Sequence, residues 1–449
     1  MNLSLVALAL LVAGCVQSDD SASLVQATVP KPTFTFAPKP TFTPIPAATE
    51  ASAAPAVPTA TPTAVPLPTE TPAPTNTIAP ESTKTATAIL PTATPEHPLP
   101  PQKPLHMNSP EYGVQAFLWW RPELAERDLL MVKDMGFTWV KQTFAWRDIE
   151  QEKGHYDWSH TDHIVYTANK YGGLDLLIRV DDAPEWAAPG CKNPAAGVIQ
   201  GPPANLQDFA DFLQALVGRY KGRIRAYEVW NEPNLAREWC GRTPSPAEYA
   251  QLLKVAYAAI KSADPNAMVI SAGLTPTGTG PPIALPDDTY LDQLYQAMGG
   301  PGDGYFDVLG VHAPGYKAPP ETSPEEAVSN PVYGGHRFFV FRRVEDLRAI
   351  MERYGDGDKQ VAVLEFGWTS DPIHESYAWH RVTEEEKADY MVRAFRWAAE
   401  HWSPWIGLMS AIYISDPDWT EDAEQYWWAI TNPDGTPRPA FVALKQMQK

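Results

Sequence analysis

Ala226-Tyr227-Glu228-Val229-Trp230 is a short apolar run, and Met268-Val269-Ile270-Ser271-Ala272 is another. Between them Ser245-Pro246-Ala247-Glu248 opens an amphipathic pattern that continues to Ser262. A Ser at the N-cap, Pro at the first helical position and Glu at the third make a capping box, so this is a helix start. Strands that are apolar at almost every position bury both faces, which is the habit of a parallel sheet covered by helices.

The same unit recurs on both sides. Further strands are expected at Gly113–Phe117, Trp139–Thr143, Leu174–Val180, Val308–His312, Val361–Phe366 and Leu408–Ile414. The helical patterns alternate with them: Pro122–Met135, Thr161–Tyr171, Leu206–Tyr220, Tyr290–Met298, Phe341–Tyr354, Glu384–Ala399 and Ala440–Met447. A second capping box, Thr383-Glu384-Glu385-Glu386, opens the seventh helix. Eight strand–helix units predict an α/β fold, a (β/α)₈ TIM barrel over residues 107–449. A doubly wound open sheet is the competitor, but it calls for a Gly-rich first turn, and Ala116-Phe117-Leu118-Trp119-Trp120 has none.

Upstream the texture differs. Leu3–Val12 is apolar but shorter than the roughly 20 residues of a membrane span, and Val12-Ala13-Gly14-Cys15 follows it. This reads as a signal peptide over residues 1–15, and it resembles a bacterial lipobox with Cys15 as the lipidated residue, although no Lys or Arg precedes it. Residues 16–106 are rich in Pro, Thr and Ala, with few large apolar groups to bury, so a disordered, semi-rigid stalk is expected there. The protein is therefore expected outside the cell, as a cell-surface lipoprotein on a membrane anchor or as a secreted monomer.

Composition narrows the partners. The formal net charge of -19 argues against nucleic acid, whose affinity comes from clustered Lys and Arg. The 16 Trp exceed what packing alone needs, and with this charge a neutral or weakly acidic polymer outside the cell fits better. Three Cys are too few for a disulfide framework and lack metal-site spacing. Cys191 and Cys240 fall in the loops after adjacent strands three and four, so a disulfide between them is expected, two isolated thiols being the alternative. No pair among the 10 His has ligand spacing, and no Gly-rich phosphate loop follows strand seven or eight, so neither metal nor cofactor is expected.

Active sites of such barrels lie at the C-terminal ends of the strands. Strand four ends in Trp230-Asn231-Glu232-Pro233-Asn234 and strand seven in Leu364-Glu365-Phe366-Gly367-Trp368. A carboxyl group at the mouth of an apolar strand is costly without a purpose. Glycoside hydrolysis supplies one, because it needs an acid to protonate the leaving oxygen and a second carboxylate to attack the anomeric carbon. One of the two carboxyls must be kept protonated by its surroundings, through burial and the charge of the other. The plain alternatives are an exposed loop carboxylate for Glu232 and an interior ion-pair partner for Glu365.

Trp230-Asn231-Glu232-Pro233 is similar to the Asn-Glu-Pro signature of glycoside hydrolase clan A, whose members are retaining β-glycosidases. The resemblance implies that Glu232 is the acid/base, Glu365 the nucleophile and Asn231 a ligand of the sugar 2-hydroxyl. Trp146-Arg147-Asp148-Ile149-Glu150, Gly154-His155-Tyr156-Asp157-Trp158 and Asp162 resemble family 39 and its relatives in particular. The last helical pattern leaves no room for the accessory β-sandwich typical of family 39 xylosidases. His312 and Tyr316, in Gly310-Val311-His312-Ala313-Pro314-Gly315-Tyr316, are similar to the clan's strand-six His and Tyr, and are expected to orient the nucleophile and touch the sugar. Lys141 stands where many relatives carry Arg, and Lys lacks the bidentate fork, so Arg179 on strand three is a substitute. Trp146, Trp186, Trp239, Trp368 and Trp419 fall in loops on the catalytic side, and at least two are expected to serve as platforms for sugar rings. The competing function is a non-catalytic carbohydrate-binding barrel.

Overall fold

The computed structural model describes residues 99–119, 121–193 and 197–449. Cys15, the signal segment and the stalk as far as residue 98 lie outside these residues.

Eight strands form one closed parallel barrel in chain order. They are β1 Glu111–Gln115, β2 Trp139–Ala145, β3 Asp175–Asp181, β4 Ala226–Val229, β5 Met268–Ser271, β6 Val308–His312, β7 Gln360–Phe366 and β8 Ile406–Ala411, with β8 pairing back onto β1. The helices that cover them are α1 Pro122–Asp134, α2 Ser159–Tyr171, α3 Leu206–Arg219, α4 Pro246–Ala263, α5 Asp287–Met298, α6 Arg343–Arg353, α7 Glu384–Trp397 and α8 Pro439–Gln446. The barrel is the expected one, with strand ends displaced by at most three residues. Of the two expected capping boxes, only Thr383–Glu386 is complete. At the start of α4, Ser245 accepts from the Glu248 amide, but the Glu248 carboxylate is drawn away to the Trp239 indole at 2.9 Å and to Arg242.

Alternate residues of each strand face inward and outward. Leu176, Ile178 and Val180 pack against the helices with Val361 and Val363, while Met107, Trp139, Leu177, Met268, Leu364 and Leu408 fill the interior. The N-terminal end is tied by ions: Arg225 reaches Glu111 and Asp175 at 2.7 Å each, and Lys103 joins Asp175 at 2.6 Å. Above the apolar layers the interior turns polar, with Lys141, Arg179 and Glu228 all buried.

Strict alternation would send Glu365 outward with Val361 and Val363. Val311 pairs with Val363, but His312 pairs with Glu365, so β7 carries one extra residue at this point. The resulting bulge returns Glu365 to the interior and lets Phe366 pack outward on Phe341 and Phe395.

Candidate active site

Glu232 is turned into the mouth by its backbone. Trp230 and Glu232 adopt φ values of 74° and 39°, a region that costs a side-chain-bearing residue about 1–3 kcal/mol and persists only when the surroundings enforce it. They do so here: the Trp230 amide donates to Val180 at 2.9 Å and the Glu232 amide to Gly273 at 3.2 Å. Asn234 pins the turn to the next loop through Thr275 (2.9 Å) and Leu285 (3.0 Å). Gly273 is required beside it, because a Cβ there would sit 2.1 Å from the His312 ring.

One imidazole joins the two glutamates. His312 Nδ1 donates to Glu232 Oε1 at 3.0 Å, and its Nε2 lies 3.9 Å from Glu365 Oε1. The sequence suggested that His312 orients the nucleophile; its hydrogen bond goes instead to Glu232, and Glu365 is only a neighbour. Lys141 Nζ lies 3.0 Å from Glu365 Oε1, and Arg179 Nη1 lies 3.5 Å from the same oxygen. Arg179 also donates to Asn231 Oδ1 at 3.2 Å. Lys141 and Arg179 therefore share the task assigned to one of them in alternative.

The charges set the protonation. Burial pushes the Glu365 carboxyl up, but Lys141, His312 and Arg179 together hold it down at about 2. Burial and the charge of Glu365 also push Glu232 up, yet the hydrogen bond and charge of His312, with Arg237, leave it below its ordinary value. The expectation of a raised Glu232 is thus reversed. The reasons are His312, 3.0 Å from Glu232 Oε1, and then Arg237, whose Nη2 is 3.1 Å from Oε2.

The tryptophans divide by burial. Trp146 and Trp368 are not platforms: both are fully buried. Trp146 stacks on Phe212 at 5.2 Å and donates to Glu150, while Trp368 donates to Ala318 and fills the space that Gly315 leaves by having no Cβ. Trp239 is buried as well, tied to Glu248. Trp186 is half-buried, its indole bonded to the Glu150 carbonyl. Trp419 is half-buried and stands edge-on to Tyr413 at 5.4 Å. Tyr316 is buried, bonds the Pro276 carbonyl at 3.3 Å and neighbours Glu232 rather than the nucleophile position.

Several site residues escaped sequence reading. Tyr413, just past β8, is buried with its hydroxyl free of a hydrogen bond, and both Glu365 and Glu232 push its phenol further above the usual range that burial already exceeds. Arg237 follows Glu232 on the short helix Ala236–Glu238, and Glu424 and Tyr377 face it from later loops. Trp379, 37% exposed, lies near-parallel to Tyr316 at 6.3 Å. An apolar-to-polar switch at a strand end gave no signal for any of these, since each lies beyond a strand end, in a loop or on a short helix.

Cys191 and Cys240 form a disulfide, joining the loops after β3 and β4. Among the described residues no group of three or more His, Cys, Asp or Glu is arranged to hold a metal ion.

Known proteins share this architecture. A family 39 glycoside hydrolase from Bacteroides cellulosilyticus WH2 superposes with a TM-score of 0.53 at 22% identity, over 77% of this chain and 63% of that one. A family 39 β-xylosidase from Caulobacter crescentus gives 0.51 at 19% identity, over 78% and 72%. At these identities the likeness is one of fold. In sequence, endo-1,4-beta-xylanase 3 of Hypocrea jecorina is 27% identical over 142 residues, 30% of this chain. The match spans only 37% of that xylanase's length. The family-level match differs from the family 39 flavour of the loop motifs: the model of the cellulase family, glycosyl hydrolase family 5, covers residues 102–392, well over half of the chain, and the chain belongs to that family.

Proposed function

We propose that the protein is a retaining glycoside hydrolase that cleaves β-glycosidic bonds of an extracellular oligo- or polysaccharide by double displacement. One observation carries the reading: two buried glutamates meet at the C-terminal mouth of the barrel, within contact of a single imidazole, in unlike surroundings. Contact with one small ring supports the retaining separation of about 5–5.5 Å over the inverting one of roughly 6.5–9.5 Å.

Glu365 is the nucleophile, because Lys141 and Arg179, with His312 beside them, keep it ionised against its burial. It attacks the anomeric carbon while Glu232 protonates the leaving oxygen, and a glycosyl ester on Glu365 results. Glu232, now a carboxylate, takes a proton from water, which attacks the ester and restores the β-configuration. Asn231, with Oδ1 engaged by Arg179, has its amide nitrogen to offer a sugar hydroxyl. The Tyr413 hydroxyl is placed to meet a second polar group of the sugar. The Hypocrea jecorina xylanase supports β-1,4-xylan, and the cellulase family match supports cellulose, as the first polymers to test.

The test is a panel of 4-nitrophenyl β-glycosides and β-1,4-linked polymers, with NMR of the first product formed. The β-anomer is expected first. An α-anomer would overturn the retaining mechanism, and no turnover of any member by a folded protein would favour the carbohydrate-binding alternative. The proposal places the enzyme on the cell surface through lipidated Cys15 and a Pro/Thr-rich stalk, which the Cys191–Cys240 disulfide supports by its fit to an oxidising compartment. Cys15→Ala should release the full chain from membranes of a lipidating bacterium; retention would refute this anchor.

A further inference from the structure

Both carboxyl oxygens of the acid are engaged, which leaves its proton without a seat. Glu232 Oε1 is taken by His312 at 3.0 Å and Oε2 by Arg237 at 3.1 Å. The same Arg237 Nη2 lies 3.3 Å from Glu238 Oε1. Glu238 is wholly buried; Gln200 donates to its Oε2, and its Oε1 accepts no hydrogen bond. One guanidinium, with five donors in a rigid plane, thus stands between two carboxyl groups and satisfies only one of them. Two adjacent buried carboxylates beside Glu365 cannot both be ionised cheaply.

Which of them holds the proton follows from the surroundings. Burial above all, with Glu232 and Asp181 adding repulsion, pushes Glu238 up to about 8 against the pull of Arg237 and Gln200. Glu232 lies below its ordinary value, with His312 from β6 and Arg237 opposing burial and the charge of Glu365 from β7. Tyr316 and Tyr413 complete the groups facing Glu232, Arg179 also faces Glu238, and Glu424 and Tyr377 face Arg237.

We propose that Arg237 is a movable counter-ion that positions the catalytic proton: it rests on Glu232 in the free enzyme and moves to Glu238 when a leaving-group oxygen takes its place against Glu232 Oε2. The proposal rests on Glu232 being the acid/base. In the free enzyme Glu232 is a carboxylate and Glu238 a carboxylic acid. In the complex one proton has left Glu238 and one has joined Glu232, so the net charge is unchanged and water alone carries the proton. Once the aglycone departs with that proton, Arg237 lies between two carboxylates; Glu232 then takes a proton from the attacking water, and as the product leaves that proton passes to Glu238 and Arg237 returns to Glu232. Arg237 and Glu238 are positioning residues in this scheme, and neither touches the bond that breaks.

The experiment compares two glycosides of the sugar that the panel identifies, a phenyl glycoside, which needs protonation, and a 2,4-dinitrophenyl glycoside, which does not. In Glu238→Gln the guanidinium loses its second seat. Its kcat/KM on the phenyl glycoside should fall by about tenfold or more, within the usual range for general acid catalysis, while the dinitrophenyl glycoside is spared. In Arg237→Met the basic limb of kcat/KM on the phenyl glycoside should move to higher pH, and the double variant should recover most of the Glu238→Gln loss. Equal losses on both glycosides, an unmoved limb or additive effects would overturn the proposal. Should a variant fail to fold, the native enzyme decides: binding the non-hydrolysable thioglycoside should remove one carboxylic-acid C=O infrared band and create another, without net proton release. An unchanged spectrum refutes the shift. Glu232→Ala separates the two claims. If it costs both glycosides equally, the acid/base assignment itself fails; if it discriminates where Glu238→Gln does not, only the counter-ion shift fails.

Discussion

Lys141 and Glu365, on the non-adjacent strands β2 and β7, meet inside the barrel at 3.0 Å, and the same Lys141 Nζ lies 3.0 Å from Glu228. A single ammonium thus serves a candidate nucleophile and a wholly buried structural carboxylate. The Lys does what a bidentate Arg would do on one glutamate, but shared between two.

Lys141→Met should separate these duties. Glu365 would keep Arg179 and His312, at 3.5 and 3.9 Å, and burial would drive its carboxyl up. A nucleophile must be ionised, so the acid limb of kcat/KM should move to higher pH. Glu228 would become a buried charge without its partner, a loss of about 3–5 kcal/mol in denaturant unfolding. A pH profile that stays in place would show that Lys141 is not what keeps Glu365 ionised.

Stability should itself peak in mild acid. Glu365 is depressed from 4.5 to about 2, so its stabilisation is present above the ordinary value and is lost as pH falls toward 2. Asp128, Asp182, Glu238 and Glu424 are raised, chiefly by burial, to about 6, 7, 8 and 8. Their contributions are complete below the ordinary carboxyl range and are lost as pH rises through those values. Tm should therefore be highest close to the ordinary carboxyl values of 3.8 to 4.5, and decline on both sides. Glu424→Gln should flatten the alkaline side; a Tm that climbs from pH 5 to 8 contradicts the assignment of these buried carboxyls.

The tryptophans should respond in two classes. Trp146→Ala removes an indole packed on Phe212 and bonded to Glu150, and should cost about 3–5 kcal/mol. Trp379→Ala and Trp419→Ala alter partly exposed rings near Tyr316 and Tyr413 and should leave Tm nearly unchanged. If these rings carry sugar units, KM on a polymer should rise several-fold while that on an aryl monoglycoside changes little, a split in keeping with about 1–3 kcal/mol for loss of an apolar contact. Equal effects on both substrates would place neither ring along the polymer.

This division marks where sequence reading stops. The eight strands were legible because parallel strands buried on both faces are apolar at nearly every position. Glu232 and Glu365 were legible because a carboxyl group at the end of such a strand breaks the pattern at a cost. The bulge that turns Glu365 inward was not, since Val363-Leu364-Glu365-Phe366 reads as plain alternation and the extra residue shows only against His312. Nor was the fate of Trp146 and Trp368, because loop indoles look alike until the helices they pack under are in place. Arg237 gave no signal; its place beside Glu232 comes from a turn through two left-handed residues that composition does not reveal.

The roles of the two glutamates are separable by stereochemistry. Glu365→Gly removes the group that forms the glycosyl ester, so turnover of every substrate should cease. Glu232→Ala removes the acid, which an activated aryl group does not need in order to leave, so the first step should persist on such substrates. The second step then lacks its base, and the glycosyl-enzyme should accumulate as a mass increase on Glu365. Azide is a nucleophile that needs no base. In Glu232→Ala it should attack the accumulated ester from the face vacated by the aglycone and give the β-glycosyl azide. In Glu365→Gly it should occupy the space of the missing carboxylate and displace the aglycone once, giving the α-azide from a β-substrate. The structure supports this pairing through the groups gathered on Glu365: the cations Lys141 and Arg179, with the His312 ring beside them, would stabilise a small anion in its stead. Exchanged azide configurations would exchange the two assignments, and full activity in either variant would remove that residue from the mechanism.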